Sequence, residues 1–431
     1  MFFFMMVYLV LVIIRPQDYP AVVDSPGPPW QPIALILAAV FWLFSARKSF
    51  AAPQYLLLPV FLLVAMISKV VNGWTGGALF VFALFAPVIL AFMLLSNAAD
   101  TRNRMRITMA VFAACGAVLA VHGIEQSVTG IGWTGVEMSQ ETRIQYVGIF
   151  NDPNDLGMLF VMCLPMAFYL GSRGGLLGLR RLFWWTGAGL LVYGIFLTNS
   201  RGTLLAMVAI LGVYVWQKRG LMTAGVLAVG ALVGLMAMPS RMQELDSSEA
   251  SAAGRIDSWY EGIQMFISDP LFGVGAGGYT DVNPLTAHNS FVLVLAEMGI
   301  IGFTIWLAIA GYSFRMTLSV LKRGDEVMDD VPAEVPDDEV VAGWRDDRAL
   351  TLTLLLSLVG YFVSAFFLSR SYVIILYLLV ALIVANYVRL RETYSSLPVF
   401  SLDKDLVRWP VYAVLWVIGL YIMVKVLLAT V

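Results

Sequence analysis

Charge is scarce in this chain: Asp, Glu, Lys and Arg together make up 13% of its 431 residues, where a soluble domain carries about 25%. Neither sign dominates. The formal net charge is −2, so there is no basic excess of the kind that nucleic-acid binding draws on. Histidine occurs only at His122 and His288, and cysteine only at Cys115 and Cys163. Both cysteines lie inside apolar blocks and read as small buried hydrophobes, not as a disulfide framework or a metal cluster. With so few ligating side chains, neither a cofactor nor a metal is expected.

Apolar residues fill the rest. They form 60% of the chain, and the mean hydropathy is +0.82. A membrane span needs about 20 mainly apolar residues. Candidate spans lie at 2–14, 31–45, 54–70, 77–96, 107–124, 156–171, 182–198, 203–216, 221–238, 290–312, 349–368, 373–387 and 410–428. The first lacks the basic start and small-x-small cleavage site of a signal peptide, so it reads as a span. The expected fold is an all-α polytopic membrane protein of about 12–13 transmembrane helices. These form a single transmembrane domain over 1–431.

Lysine and arginine placement sets an orientation. With the N-terminus in the cytoplasm, eight of the 27 basic residues fall at the outer side or within spans. They are Arg15, Lys69, Arg143, Arg201, Arg241, Arg255, Arg370 and Lys425; the rest sit in inside loops. Five of the exceptions, Arg143, Arg201, Arg241, Arg255 and Arg370, fall in outer loops, which normally avoid arginine. Together they suggest an anion held at that face, since guanidinium stays charged and grips phosphate in a bidentate fork. The spans that start near Asp152, Ser200 and His288 run inward. Their N-termini are expected to offer unpaired N–H groups and a positive dipole end to that anion.

Two segments read as extramembranous. Residues 239–289 form an outer loop in which 254–268 places Ile256, Tyr260, Ile263 and Ile267 at helical spacing, an amphipathic helix on the membrane or the bundle. Residues 316–348 hold an acidic, proline-bearing run that reads as a disordered inner loop. Residues 273–278 formally contain G-x-G-x-x-G, but no strand precedes them and no βαβ unit surrounds them. They read as a flexible turn able to let the outer loop close, not as a dinucleotide site.

Four blocks then carry a family resemblance. Arg143 is followed by Gly148, Phe150, Asn151, Asp152, Pro153, Asn154 and Leu156. Thr198, Asn199, Ser200, Arg201 and Gly202 end one span and start the next. Gly254, Arg255 and Trp259 precede Asp269, Pro270, Leu271, Phe272, Gly273, Val274 and Gly275. His288, Asn289 and Ser290 precede Glu297, Gly299 and Gly302. In order and placement, over roughly 107–310, these blocks resemble the O-antigen ligase and O-antigen polymerase superfamily (WaaL-like and Wzy-like proteins).

That resemblance implies a GT-C-like membrane glycosyltransferase, metal-independent and inverting. Its donor would be an undecaprenyl-pyrophosphate-linked glycan. It also implies a multi-pass protein of the bacterial inner membrane with its site facing the periplasm. On this reading His288 is the catalytic base. Arg201 and Arg255, with Arg143, hold the pyrophosphate, while Asn154, Ser200, Asn289 and Glu297 give support. The local patterns have plainer readings beside these. Asp152, Pro153 and Asp155 suit a helix start with a box-like cap, Ser200 suits another cap, His122 a buried polar residue, and Glu297 a structural hydrogen bond. The acceptor stays open between a second lipid-linked glycan, lipid A core and protein. A lipid-linked-glycan flippase is the rival from another class, disfavoured because the spans are nearly free of charge.

Overall fold

A computed structural model describes residues 1–23, 27–173, 178–237, 246–324 and 337–430. Arg241 and the acidic stretch 325–336 lie outside the described residues. Regular structure among these residues is helical, with two isolated β-bridges. This is the expected outcome for chain in lipid, where each backbone polar group must find its partner within its own segment.

The helices are α1 (Phe2–Ile14), α2 (Pro20–Val23), α3 (Trp30–Leu43), α4 (Gln54–Val71), α5 (Thr75–Ala98), α6 (Arg102–Thr129), α7 (Pro153–Gly171) and α8 (Leu179–Leu197). There follow α9 (Arg201–Arg219), α10 (Leu221–Ala237), α11 (Asp246–Ser268), α12 (Tyr279–Val282), α13 (Ser290–Lys322), α14 (Asp337–Ala365), α15 (Ile374–Thr393) and α16 (Arg408–Thr430). Each of the thirteen candidate spans falls on one of these helices. Among the described residues, eight helices (α4, α5, α6, α7, α13, α14, α15 and α16) are long and apolar enough to cross a membrane, while Trp30–Leu43 and Leu221–Gly230 are shorter apolar stretches. The protein is an all-α polytopic membrane protein. Its buried apolar side chains form one cluster reaching from Met5 to Val424.

Close packing rests on small residues. A Cβ at Gly157 of α7 would lie 2.4 Å from Thr203 Oγ1 of α9, and one at Gly262 of α11 would lie 2.4 Å from Val292 Cγ1 of α13. Bringing backbones together through such residues is how helices associate where lipid gives no hydrophobic drive. Gly262 also corrects the amphipathic stripe. The buried side of α11 carries Ser258, Trp259, Ile263 and Met265, whereas Ile267 is 54% exposed. Helix α11 turns its small-residue side to α13, and the isoleucine spacing does not reveal that choice.

The acidic loop is shorter than expected. Helix α13 continues through Lys322, and α14 starts at Asp337. The acids of this second helix are held by cations from other elements. Asp347 accepts from Arg102 at 2.7 Å and from Arg389 at 2.7 Å, and Asp346 pairs with Arg106 and Arg173. Paired carboxylates of this kind order a segment that its composition alone marks as solvated.

Helix α13 is broken at Gly299, where φ is 59° and ψ −163°. The break is filled by the Gly-rich run, so the flexible-turn reading of 273–278 is corrected. Val274 N donates to Ala296 O at 2.9 Å, Gly275 N to Glu297 O at 3.0 Å, and Ile300 N to Pro270 O at 2.8 Å. Asn72 Nδ2 donates to Gly273 O at 2.8 Å, and Ala276 N to Ser68 Oγ at 3.0 Å. The glycines permit backbone-to-backbone approach: a Cβ at Gly299 would meet Leu271 O at 2.4 Å. Replacing Gly299 with Ala should therefore cost about 1–3 kcal/mol in backbone strain before any overlap is counted. A clearly lower melting temperature in detergent checks this; an unchanged one would show that the break relaxes.

Candidate functional site

Three helix starts meet at the bundle end where α7, α9 and α13 begin. Each is closed by its own residue. Asp152 Oδ1 accepts from Asn154 N at 2.7 Å, Ser200 Oγ from Thr203 N at 3.3 Å, and Asn289 Oδ1 from Phe291 N and Val292 N at 2.9 and 3.1 Å. These are ordinary N-caps. They correct the expectation that these termini offer free N–H groups, because several first-turn donors are already used. Asp155 does not close a box-like cap either. Its carboxylate takes both arms of Arg370, with Arg370 Nε at 2.5 Å from Oδ1.

Arg143 spans two elements. Its Nη2 donates to Asn154 Oδ1 at 3.0 Å and its Nε to Thr198 O at 2.9 Å. Asn154 is itself steadied by donating to Asp152 Oδ1 at 2.8 Å. Asn199 Nδ2 donates to Thr142 O at 3.1 Å, which ties the same loop to the start of α9. On the far side, Ser290 is stitched to the α14–α15 connection. Its Oγ donates to Leu368 O at 2.6 Å and accepts from Arg370 N at 2.9 Å, while Ser371 Oγ donates to Ser290 O at 2.8 Å.

His288 stands immediately before the Asn289 cap with φ 47°, and Asn199 stands immediately before the Ser200 cap with φ 47°. Left-handed backbone is costly for non-glycine residues and clusters at functional positions. Here it fixes how the chain enters α9 and α13. The His288 ring is half-buried. Burial lowers its pKa below the usual 6.5, Arg255 and Arg370 lower it further, and Asp152 opposes them. Burial likewise lowers Arg255, with Asp152 opposing and Arg201 adding to the effect. Arg143 is lowered by burial too, with Asp152 opposing and Arg255 adding. These couplings bring Arg143, Arg201, Arg255 and His288 into one electrostatic neighbourhood. Arg201 is exposed at the first position of α9, and Arg370 is committed to Asp155.

Asp152 is the residue that sequence reasoning underweighted. It acts on His288, Arg143, Arg255 and Arg370 while capping α7. The signal was an acidic residue beside a cationic group that needs partial balance, hidden because the cap alone explained it. Glu297 lies elsewhere. It is buried in α13, and its Oε1 accepts from Tyr279 N at 3.3 Å, so it faces the docked Gly-rich run. His122 lies within α6, with Nε2 2.9 Å from Thr134 Oγ1 and its ring edge-on to Trp133 and Tyr146.

With only two histidines, ring-carbon NMR can follow His288 directly. Its titration midpoint should lie below 6.5. Arg255→Ala removes a lowering charge and should move the midpoint up, whereas Asp152→Asn, which keeps a capping oxygen, should move it down. A midpoint indifferent to both changes would contradict this electrostatic arrangement.

No curated protein matches the chain. Residues 158–307, which run from α7 to α13 and include Ser200, Arg201, Arg255, His288, Asn289 and Glu297, match the family model Wzy_C, described as O-antigen ligase. That match covers about a third of the chain; it supports the resemblance to the O-antigen ligase and polymerase superfamily and a membrane glycosyltransferase-like role, with lipid bilayer and glycan as its surroundings.

Proposed function

We propose that this protein transfers a glycan from an undecaprenyl-pyrophosphate carrier, at the periplasmic face of a bacterial inner membrane, in a GT-C-like, inverting and metal-independent reaction. The observation that carries the reading is the placing, at one bundle end, of a half-buried histidine, His288, that feels Arg255, with Arg143 and Arg201 coupled to that same Arg255 and Arg143 held by Asn154 and Thr198 O. The orientation rests on the arginine and lysine bias of the loops.

In this mechanism Arg201 and Arg255, assisted by Arg143, grip the donor pyrophosphate. Arg143 is already oriented by Asn154 and Thr198 O. Neutral His288 takes the proton of an acceptor hydroxyl. The hydroxyl oxygen bonds to the anomeric carbon from the face opposite the leaving group. The carbon–oxygen bond to pyrophosphate breaks, and polyprenyl pyrophosphate departs with the electron pair, its charge met by guanidinium. A lowered histidine pKa serves this step, because it favours the neutral, proton-accepting imidazole. Ser200 and Asn289 support it by fixing the helix starts, and Glu297 by anchoring the loop that follows α11.

Polymerisation of surface polysaccharide repeats is the favoured outcome. Between Arg255 and His288 the chain is taken up by the rest of α11, the docked Gly-rich run and α12. That leaves little to enclose a bulky lipid acceptor, whereas a second lipid-linked glycan approaches along the membrane. Ligation to lipid A core is the second reading, favoured by the description of the family model.

A product assay with a defined lipid-linked donor separates them. Wild-type protein should build chains without lipid A core and in excess EDTA. His288→Ala should lower turnover by about 10²–10⁴ with donor binding retained. Arg201→Ala or Arg255→Ala should lower it by about 10², only partly restored by Lys, which lacks the fork. Product formed solely when lipid A core is added would replace polymerisation by ligation, and full activity of the His288 variant would remove the base.

A further inference from the structure

At the bundle end opposite the candidate site, the ends of α9, α13 and α14 enclose a cavity of ≈ 290 Å³. Gln217 and Lys218 line it from α9, Leu321 from α13, and Arg345, Arg348 and Leu352 from α14. Positions 345, 348 and 352 share one face of a helix. Helical geometry explains why this face is left cationic. The neighbouring acids, Asp346 and Asp347, point to other faces and are held by Arg106, Arg173, Arg102 and Arg389. Among the described residues no ion pair involves Lys218, Arg345 or Arg348. Arg348 instead donates to the carbonyls of Leu321 (2.9 Å) and Arg323, closing the end of α13.

The depth of the cavity says what would fill it. Within one turn before Lys218 on α9, Tyr214 and Trp216 are each 44% exposed, and exposed aromatics at a helix end mark the headgroup level. Leu321 and Leu352 line it beside the cations. A lining both cationic and apolar at that level suits an anion with hydrocarbon attached. Basic pockets between helices at a membrane surface hold lipid headgroups in this way.

We propose that this cavity binds the phosphate headgroup of an anionic phospholipid. Lys218 and Arg345 meet the charge, Gln217 donates to phosphate oxygens, and the acyl chains lie along Leu352. Such a lipid would brace the ends of α9, α13 and α14. The other ends of α9 and α13 carry Arg201 and Asn289, so occupancy would steady the candidate site from across the membrane. The proposal does not depend on the chemistry assigned to that site, nor on which end faces the cytoplasm.

The test compares lipid retention by native mass spectrometry and thermal unfolding in micelles doped with phosphatidylglycerol, phosphatidylcholine or inorganic phosphate. Wild-type protein should retain phosphatidylglycerol, gain melting temperature with it, and ignore the other two. Lys218→Ala combined with Arg345→Ala should weaken retention about 25-fold, at about fivefold per cation, and abolish the thermal gain. Both side chains are exposed, so this variant should fold, while Arg348 is left in place because it closes α13. Equal retention of phosphatidylcholine, displacement by millimolar phosphate, or a double variant that retains phosphatidylglycerol as well as wild type would each overturn the proposal.

Discussion

Inside a membrane, a carbonyl freed from its helix has no water to turn to, and that requirement governs the architecture around Gly299. Breaking α13 there releases the carbonyls of Ala296 and Glu297, and the run after α11 supplies the N–H groups of Val274 and Gly275 in return. Leaving such groups unpaired in hydrocarbon would cost several kcal/mol each. The docked run therefore fixes where α11 ends, and Gly262 brings that helix against Val292 of α13. Arg255 on one helix and His288 at the mouth of the other are consequently held in register by backbone hydrogen bonds far from either side chain.

The spans were legible because lipid imposes a simple rule, long apolar blocks, and a helix covers each block the sequence marks. The signal for a cationic end was arginine in loops expected to lie outside, which breaks a strong bias. The hidden features depend on distant partners. Asp155 sits where a cap is expected, yet its partner is Arg370, 215 residues later. Asp346 and Asp347 look like part of a solvated acidic stretch until Arg102, Arg106, Arg173 and Arg389 arrive from other elements. The side that α11 buries follows from a glycine, whose contribution is what it lacks, so an apolar-spacing argument passes over it.

The two ends of the bundle treat charge in different ways. At the end carrying Arg102 and Arg389, one buried carboxylate, Asp347, holds two guanidinium groups. Such a network tightens helix ends but commits its cations. At the other end Arg370 is likewise committed to Asp155, but Arg143 is oriented by neutral acceptors and Arg201 is exposed. Asp152, a counter-charge there, accepts from Asn154 N and Nδ2 through one carboxylate oxygen. Cations positioned by neutral groups keep their charge for an incoming anion.

Capping carries a consequence for how that anion would be held. Because Asp152, Ser200 and Asn289 take first-turn donors of α7, α9 and α13, the seat is built from long side chains more than from rigid backbone. Its grip is then softened by salt over a screening length of about 8–10 Å, and the flexible stems let each guanidinium fork follow the guest. A seat of that kind favours turnover over tenacity: under the proposed reaction it would follow a phosphate that shifts as its sugar leaves, and release the spent carrier without unpicking a helix.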